Sequence, residues 1–367
     1  MLAATSANLL LSRGYSQPLE SNAHFLRSDR LQSQPLVTAV IPTRNRPDVV
    51  VKAVRSALSQ CYRNIEVIVV IDGDDPATLN RLQAIDDLRL RVIDLAVSVG
   101  GSEARNVGIR AANGEWIALL DDDDEWHPDK IASQMAAALS ANIAFPVISS
   151  RLLVRNSSLE YIWPRSLYQT GQSVSDYLYC RKSIMDPANV IQTSTLMMPR
   201  KLMLETPFRK GLKMHQDCDW LLRAARRPDV KIFMLPETLT VYNVDETGTS
   251  VGRIVDWEFS TNWAREMRDY FSPRAYSSFL GAECMWRAVR SRAGLRAYWQ
   301  ILREFCTQGT PTFNAALTMI VSAFVQGLIP VRAKKIGRTL RTLRMRTGRL
   351  ATMRLSGTIA GKTIPTE

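Results

Sequence analysis

The chain has 367 residues, of which 46% are hydrophobic and 22% charged; these ordinary globular values exclude a disordered, collagen-like or polytopic membrane chain. Its formal net charge is +12, but residues 332–367 hold ten Lys/Arg against one acid, a net of +9, which leaves +3 for residues 1–331. A uniformly basic body gripping nucleic acid is therefore excluded, and the excess belongs to a tail.

Residues 1–35 are polar and weakly periodic and read as an N-terminal extension without a signal-peptide pattern. Val37 to Ile41 is a short apolar run, as in a buried strand. Pro47 suits a first helical turn, and Val50, Val51, Val54, Ala57 and Leu58 follow at helical spacing. Ile65 to Ile71 is β-branched almost throughout and ends in Asp72-Gly73-Asp74-Asp75-Pro76, a loop signal. Arg91 to Leu95 reads as a third strand. A helix runs from Gly100-Gly101 to about Asn113, and Trp116 to Leu120 is a buried strand with four aspartates directly after it. A helix from Pro128 to about Ala141 completes the alternation. It predicts a parallel sheet covered on both faces, whose ligands sit beyond the carboxyl ends of the strands.

Further on, Ile143 to Val154 and Val190 to Met198 read as strands, Asp217 to Arg226 as a helix, and Ile232 to Val241 as one or two strands around Pro236. Helices are expected over 256–271, 273–292 and 294–308. The five cysteines are scattered with no CxxC pair, neither a disulfide framework nor a zinc site; a reducing compartment is the simplest reading.

Asp121-Asp122-Asp123-Asp124 carries the most chemistry. Four adjacent carboxylates repel one another unless a positive group sits among them, and Mg²⁺ or Mn²⁺ favours such hard oxygen ligands; a solvated loop capping the next helix is the plainer alternative. Asp72, at a strand end, suits a base N–H or a ribose hydroxyl, or simply a turn. Gly100-Gly101 before Ser102-Glu103-Ala104-Arg105-Asn106 would let a phosphate approach backbone N–H groups, but the spacing matches neither a P-loop nor GxGxxG. In His215-Gln216-Asp217-Cys218-Asp219-Trp220 the two aspartates are two apart, so only one can face a site from a helix. A helix-capping role is the simpler reading of the residues alone.

Taken in order, these segments resemble the family 2 inverting glycosyltransferases. The resemblance rests on Val37–Arg46, Ser59–Gly73, Ala104–Gly108, Asn113–Asp124 and His215–Arg223, and spans about residues 36–245. It implies a GT-A (Rossmann-like) α/β fold: a mixed, mostly parallel sheet with helices on both faces over 36–255, followed by a C-terminal helical region over 256–331 and a basic tail over 332–367. It implies that Pro42, Thr43, Asn45, Arg46, Asp72 and Arg105 hold the nucleotide-sugar donor, with Asp121 or Asp122 on ribose or diphosphate. Asp123 becomes the ligand of Mg²⁺ or Mn²⁺ and Asp217 the catalytic base. Two departures stand out: the family's paired acids are Ile71-Asp72 in the first loop and Gln216-Asp217 before the helix. The Q-x-x-R-W of processive synthases has only Gln300-Ile301-Leu302-Arg303-Glu304 as a counterpart, which points to single-sugar transfer.

The implied function is inverting, non-processive hexosyl transfer to a saccharide or lipid-linked acceptor in cell-envelope polysaccharide or glycolipid assembly. The expected place is the cytoplasm, peripheral at the cytoplasmic face of the inner membrane, with no nucleic-acid partner. Two rivals remain: a nucleic-acid binder acting through the tail, which lacks aromatics for base stacking, and a metal-dependent nucleotidyltransferase. Phe313 to Val331 is about long enough to span a bilayer, yet Asn314, Thr318, Ser322 and Gln326 form a polar stripe. An interfacial or core helix is therefore expected, with membrane contact through 313–354. Residues 145–200, including Trp163, Tyr168, Tyr177 and Gln192 to Thr195, fall to the acceptor side by elimination.

Overall fold

The computed structural model describes residues 34–157, 159–183, 188–244 and 254–325. The tail over 332–367 and all but the last two residues of the N-terminal extension lie outside them. The first half alternates as its sequence predicts: β1 (Val37–Thr43), α1 (Pro47–Leu58), β2 (Ile65–Asp72), α2 (Pro76–Gln83), β3 (Leu90–Leu95), α3 (Gly101–Ala111) and β4 (Trp116–Leu119). β5 (Glu125–Trp126), α4 (Lys130–Ser140), β6 (Phe145–Arg155), β7 (Glu160–Trp163), α5 (Val174–Tyr179), β8 (Met197–Pro199), α6 (Arg200–Glu205), α7 (Gln216–Ala224) and β9 (Val230–Asn243) follow.

The sheet order is β3-β2-β1-β4-β8-β6-β9-β5, with β7 pairing on β6. β1 to β4 form a parallel half. β8 joins β4 and β6 antiparallel, and β6 and β9 run parallel. This is the mixed, mostly parallel sheet expected from the sequence. The apolar runs are buried on both faces, and alternate side chains go to different cores. Val40, Ile68, Val70, Ile117 and Leu119 face α3 and the later helices. Val37, Ala39, Ile41, Val67, Val69 and Ile71 face α1 and α4. At Gly108 a Cβ would stand 2.5 Å from Val40 Cγ1, so α3 lies directly on the sheet.

One expectation needs correction. Val190 to Met198 is a strand only from Met197; Gln192 accepts from Ser194 N at 2.7 Å and Thr195 Oγ1 bonds Gln192 O at 2.6 Å, local bonds that close a turn instead of a ladder. Ile232 to Val241 is one strand, and its register against β6 skips from Leu235 to Thr238; Pro236, which has no N–H, sits in that bulge.

The helical region comprises α8 (Trp257–Glu266), α9 (Pro273–Phe279), a π-helical turn (Leu280–Cys284), α10 (Met285–Arg290), α11 (Leu295–Thr307) and α12 (Phe313–Ile320). Its Trp263, Phe271, Phe279 and Phe305 share one core with Trp220 and Leu221 of α7 and with the α3 face of the sheet. No helix of the described residues is long and apolar enough to cross a membrane. In α12 and the π-helical turn after it (Val321–Val325) the polar stripe turns inward: Thr318 and Ser322 are buried, and Asn314 donates to Lys182 O at 2.8 Å. Gln326 and the rest of the 313–354 stretch fall outside the described residues.

Candidate active site

The site grows from the carboxyl ends of β1 and β4, paired side by side. Beyond β1 the chain turns through Asn45, whose φ of 55° is left-handed, a conformation Asn tolerates better than most residues. The Asn45 N–H donates to Asp75 Oδ2 at 2.7 Å, and Asp75 also caps α2 through Thr78 N. This turn delivers two donors to the acidic loop. Thr43 Oγ1 donates to Asp122 Oδ2 at 2.7 Å. Arg46 Nη1 donates to Asp122 Oδ1 at 2.9 Å and to Asp123 Oδ2 at 3.0 Å.

Arg105, on the second turn of α3, makes the longest connection. One of its nitrogens pairs with Asp121 Oδ1. The other, Nη1, donates to Gln216 Oε1 at 2.7 Å. The guanidinium thus ties the acidic loop to the residue preceding Asp217, and its Nε is buried without a hydrogen-bond partner among the described residues. Gln216 completes the link by donating from Nε2 to Leu212 O at 2.7 Å. A glutamate here could accept from Arg105 but could not make that second bond, which accounts locally for the Gln.

The four aspartates have different surroundings. Asp124 is fully buried and accepts from Gln192 Nε2 at 2.9 Å, Ser194 Oγ at 2.6 Å and Asn243 N at 3.2 Å. Burial, then Asp121 and Asp123, hold its pKa well above the usual carboxylate value. It fastens the loop. Burial, then Asp121 and Asp122, push Asp123 up to about 6, and burial raises Asp122 against the pull of Arg46. The loop thus crowds four carboxyl groups against two guanidiniums, Arg46 and Arg105. Among the described residues no group of three or more His, Cys, Asp or Glu forms a ready-made metal cage. Mg²⁺-type ions need only one or two protein carboxylates when diphosphate oxygens and waters complete the shell, so the crowded carboxyl group of Asp123 fits such an ion.

The second acidic knot opens α7. His215 precedes it at φ 63°, and its ring stacks on Trp263 at 4.6 Å and meets Ser260 Oγ at 3.0 Å. Burial, and then Arg287, lower His215 to about 3. The folded ring stays neutral where an unfolded His, with a pKa near 6.5, takes a proton. Stability is therefore lost as pH falls from about 6.5 towards 3, by about 2 kcal/mol at pH 5 relative to pH 8. His215→Asn, which tolerates the left-handed backbone, should remove that part of the acid sensitivity in urea melts at pH 8 and pH 5. Equal pH dependence in both proteins would mean that the folded ring titrates normally.

Asp219 points away from the site. It is fully buried, accepts from Arg223 Nε at 2.8 Å and Trp263 Nε1 at 3.1 Å, and holds α7 to α8. Asp217 accepts from Cys218 N at 2.9 Å. Burial raises its pKa, with Asp121 adding to the rise and Arg105 opposing it. Burial likewise pushes the Tyr242 phenol up, and Asp124, Asp123, Asp121 and Asp217 add to it. One side chain thus senses both acidic knots.

Most of the residues singled out in the sequence therefore meet: Thr43, Arg46, Arg105, Asp121, Asp122 and Asp123 by direct bonds, and Asp217 through Gln216. Pro42 and Asn45 shape the turn. Asp72 lies at the end of β2, where it accepts from Ser98 Oγ at 2.9 Å, Val99 N at 2.6 Å and Gly100 N at 3.0 Å; it anchors the loop that opens α3. Gln192 and Ser194, assigned by elimination to the acceptor side, instead buttress the aspartates, as does Asn243, which no sequence signal marked. Trp163, Tyr168 and Tyr177 donate to the backbone oxygens of Ala188, Gln172 and Ser166, an ordinary packing role.

Residues 38–202 match the sequence model of Glycosyl transferase family 2. The chain is 24% identical over 277 residues to the amylovoran biosynthesis glycosyltransferase AmsB of Erwinia amylovora, covering 73% of this chain and 89% of that protein. It is 38% identical over 100 residues to WfaP of Escherichia coli, a UDP-Glc:alpha-D-GlcNAc-diphosphoundecaprenol beta-1,3-glucosyltransferase, covering 27% of this chain and 40% of that protein. Other curated relatives are spanned over about a third to a half of their length. Among solved structures, S. aureus TarS 1-349 in complex with UDP-GlcNAc superposes with a TM-score of 0.52 at 16% identity, covering 82% of this chain and 92% of that one, a likeness of fold.

Proposed function

Since the chain carries a family 2 glycosyltransferase domain over residues 38–202, we propose that it transfers a single hexosyl unit, with inversion, from a nucleotide-diphosphate donor to an acceptor hydroxyl. The observation that carries this reading is the Arg105 bridge from Asp121 to Gln216. It sets a charge-rich loop suited to a diphosphate beside a half-buried carboxylate, Asp217, suited to a base.

The chemistry follows from the surroundings of each group. Asp217 takes the proton of the acceptor hydroxyl while that oxygen attacks the anomeric carbon. The bond from that carbon to the diphosphate breaks on the opposite face, and a nucleoside diphosphate leaves. Burial, which raises the pKa of Asp217, makes it a stronger proton acceptor than a solvated carboxylate. The turn Pro42–Arg46 and the loop held by Asp72 frame the nucleotide, and the free Nε–H of Arg105 offers a charge-assisted donor to a phosphate oxygen. Asp123, with Asp121 and Asp122 on the donor beside it, would hold Mg²⁺ or Mn²⁺. That ion, when bound, neutralises charge on the departing diphosphate.

The AmsB and WfaP likenesses support a role in cell-envelope polysaccharide assembly, with a saccharide or lipid-linked acceptor. A lipid-linked acceptor would bring the enzyme to the cytoplasmic face of the inner membrane, where 313–354 is a proposed contact. Melting with UDP, GDP, dTDP and CDP, each with Mn²⁺ or with EDTA, tests the donor site. One diphosphate at about 100 times its Kd should add about 2.7 kcal/mol of stability, and only with metal. No shift with any of them would remove the donor site from this account.

A further inference from the structure

The outer face of α11 has an organisation that the sugar chemistry does not use. Its inner stripe, Ala297, Ile301 and Phe305, is buried, the last two in the shared core. Its outer stripe at positions i, i+4, i+7 and i+11 is Leu295, Trp299, Leu302 and Cys306. Leu295 is 83% exposed, Trp299 67% and Leu302 39%, and Cys306 is an exposed free thiol. The helix is thus apolar on two sides, whereas a helix facing water carries polar residues on its outer side. Arg292, Arg296 and Arg303 lie exposed around this stripe, and among the described residues none of the three has an ion pair with an acid. The acid of α11, Glu304, is already held by Arg265. In α12 the inward turn of the polar stripe leaves Phe313, 80% exposed, and Ile320, 51% exposed, on the outside.

We propose that the outer face of α11 is a docking surface for an anionic lipid bilayer. Leu295, Trp299 and Leu302 enter the headgroup–acyl boundary, and Arg292, Arg296 and Arg303 meet the lipid phosphates. Charge complementarity selects this occupant. An apolar stripe with an indole, flanked by three guanidiniums without ion pairs against one free carboxylate, Glu258, in the cleft beside Arg296, keeps a positive balance and matches an interface that is apolar below and negative above. A second copy of the chain would bring the same arginines against each other. This deepens the membrane contact proposed above by assigning it a surface apart from 313–354, and it can be read without turnover.

The experiment uses the full chain carrying Cys61→Ser, with an environment-sensitive fluorophore on Cys306, and vesicles of phosphatidylcholine with or without 30% phosphatidylglycerol. A blue shift and flotation with the anionic vesicles, and neither with pure phosphatidylcholine, is the expected result. Leu295→Asn/Trp299→Ser/Leu302→Asn should weaken binding at least about tenfold. Arg292→Gln/Arg296→Gln/Arg303→Gln should weaken it up to about 100-fold. Both triple variants change exposed side chains, so their melting and their nucleoside-diphosphate response should match the parent. Flotation without a shift at Cys306 would assign membrane binding to the basic tail and overturn the proposal. So would flotation unchanged by both variants, no binding at all, or a concentration-dependent dimer that the apolar variant abolishes. If the nucleotide response fails while vesicle binding holds, the donor site falls and this surface stands.

Discussion

Asp217→Asn should lower the rate of sugar transfer by about 10²–10⁴-fold, the usual contribution of a general base, while leaving donor affinity nearly unchanged. The substitution separates the two roles open to a carboxylate at the start of a helix. Asn keeps the shape of Asp and its Oδ1 still accepts the Cys218 N–H that Asp217 accepts at 2.9 Å. The cap position of this helix is His215, which makes no side-chain cap, so Asp217 serves the helix end only through that bond. Only proton transfer is removed. A loss confined to turnover, with melting and nucleotide binding preserved, identifies a base; near-full activity would return Asp217 to its bond at the helix end. Asp219→Asn provides the contrast. It alters a buried group that binds Arg223 and Trp263, so it should lower stability before it changes chemistry.

Asp123→Ala should abolish the metal-dependent part of nucleoside-diphosphate binding, that is, the stabilisation of about 2.7 kcal/mol expected at 100 times Kd. Its fold should survive, because Arg46 keeps Asp122 at 2.9 Å and the loop is anchored by Asp124 through Gln192, Ser194 and Asn243. Removing one carboxylate also relieves crowding. An unchanged metal-dependent shift in Asp123→Ala would move the ion to Asp121 or Asp122.

The parallel half of the sheet was legible because β1, β2 and β4 are continuous apolar runs buried on both faces, with the half-exposed β3 at the edge. Each run stops at a residue with its own chemistry: Thr43, Asp72 or the aspartates after Leu119. The roles of the aspartates were legible only as a group, since what separates Asp124 from Asp123 is a set of bonds from Gln192, Ser194 and Asn243, some 70 to 120 residues away in sequence. The same holds for Asp217 and Asp219. Their spacing says that one faces the site, but only Trp263, on a helix beyond the family resemblance, shows that Asp219 is the one turned away. The segment 190–198 misled because its apolar and β-branched composition suits a strand, whereas the side chain of Gln192 folds back on the backbone. The direction of the polar stripe in α12 was invisible for a related reason. Its amphipathicity is clear, but which side meets protein depends on the carbonyls of Arg181 and Lys182.

The central claim is a single displacement at the anomeric carbon, with Asp217 as the base. Water can replace the unidentified acceptor, so slow donor hydrolysis followed by proton NMR tests it directly. The first sugar anomer released, before mutarotation, should have the configuration opposite to that of the donor, and its rate of formation should fall in Asp217→Asn. Release of the donor's own configuration would contradict the account, because it requires two displacements and a covalent intermediate in place of a base.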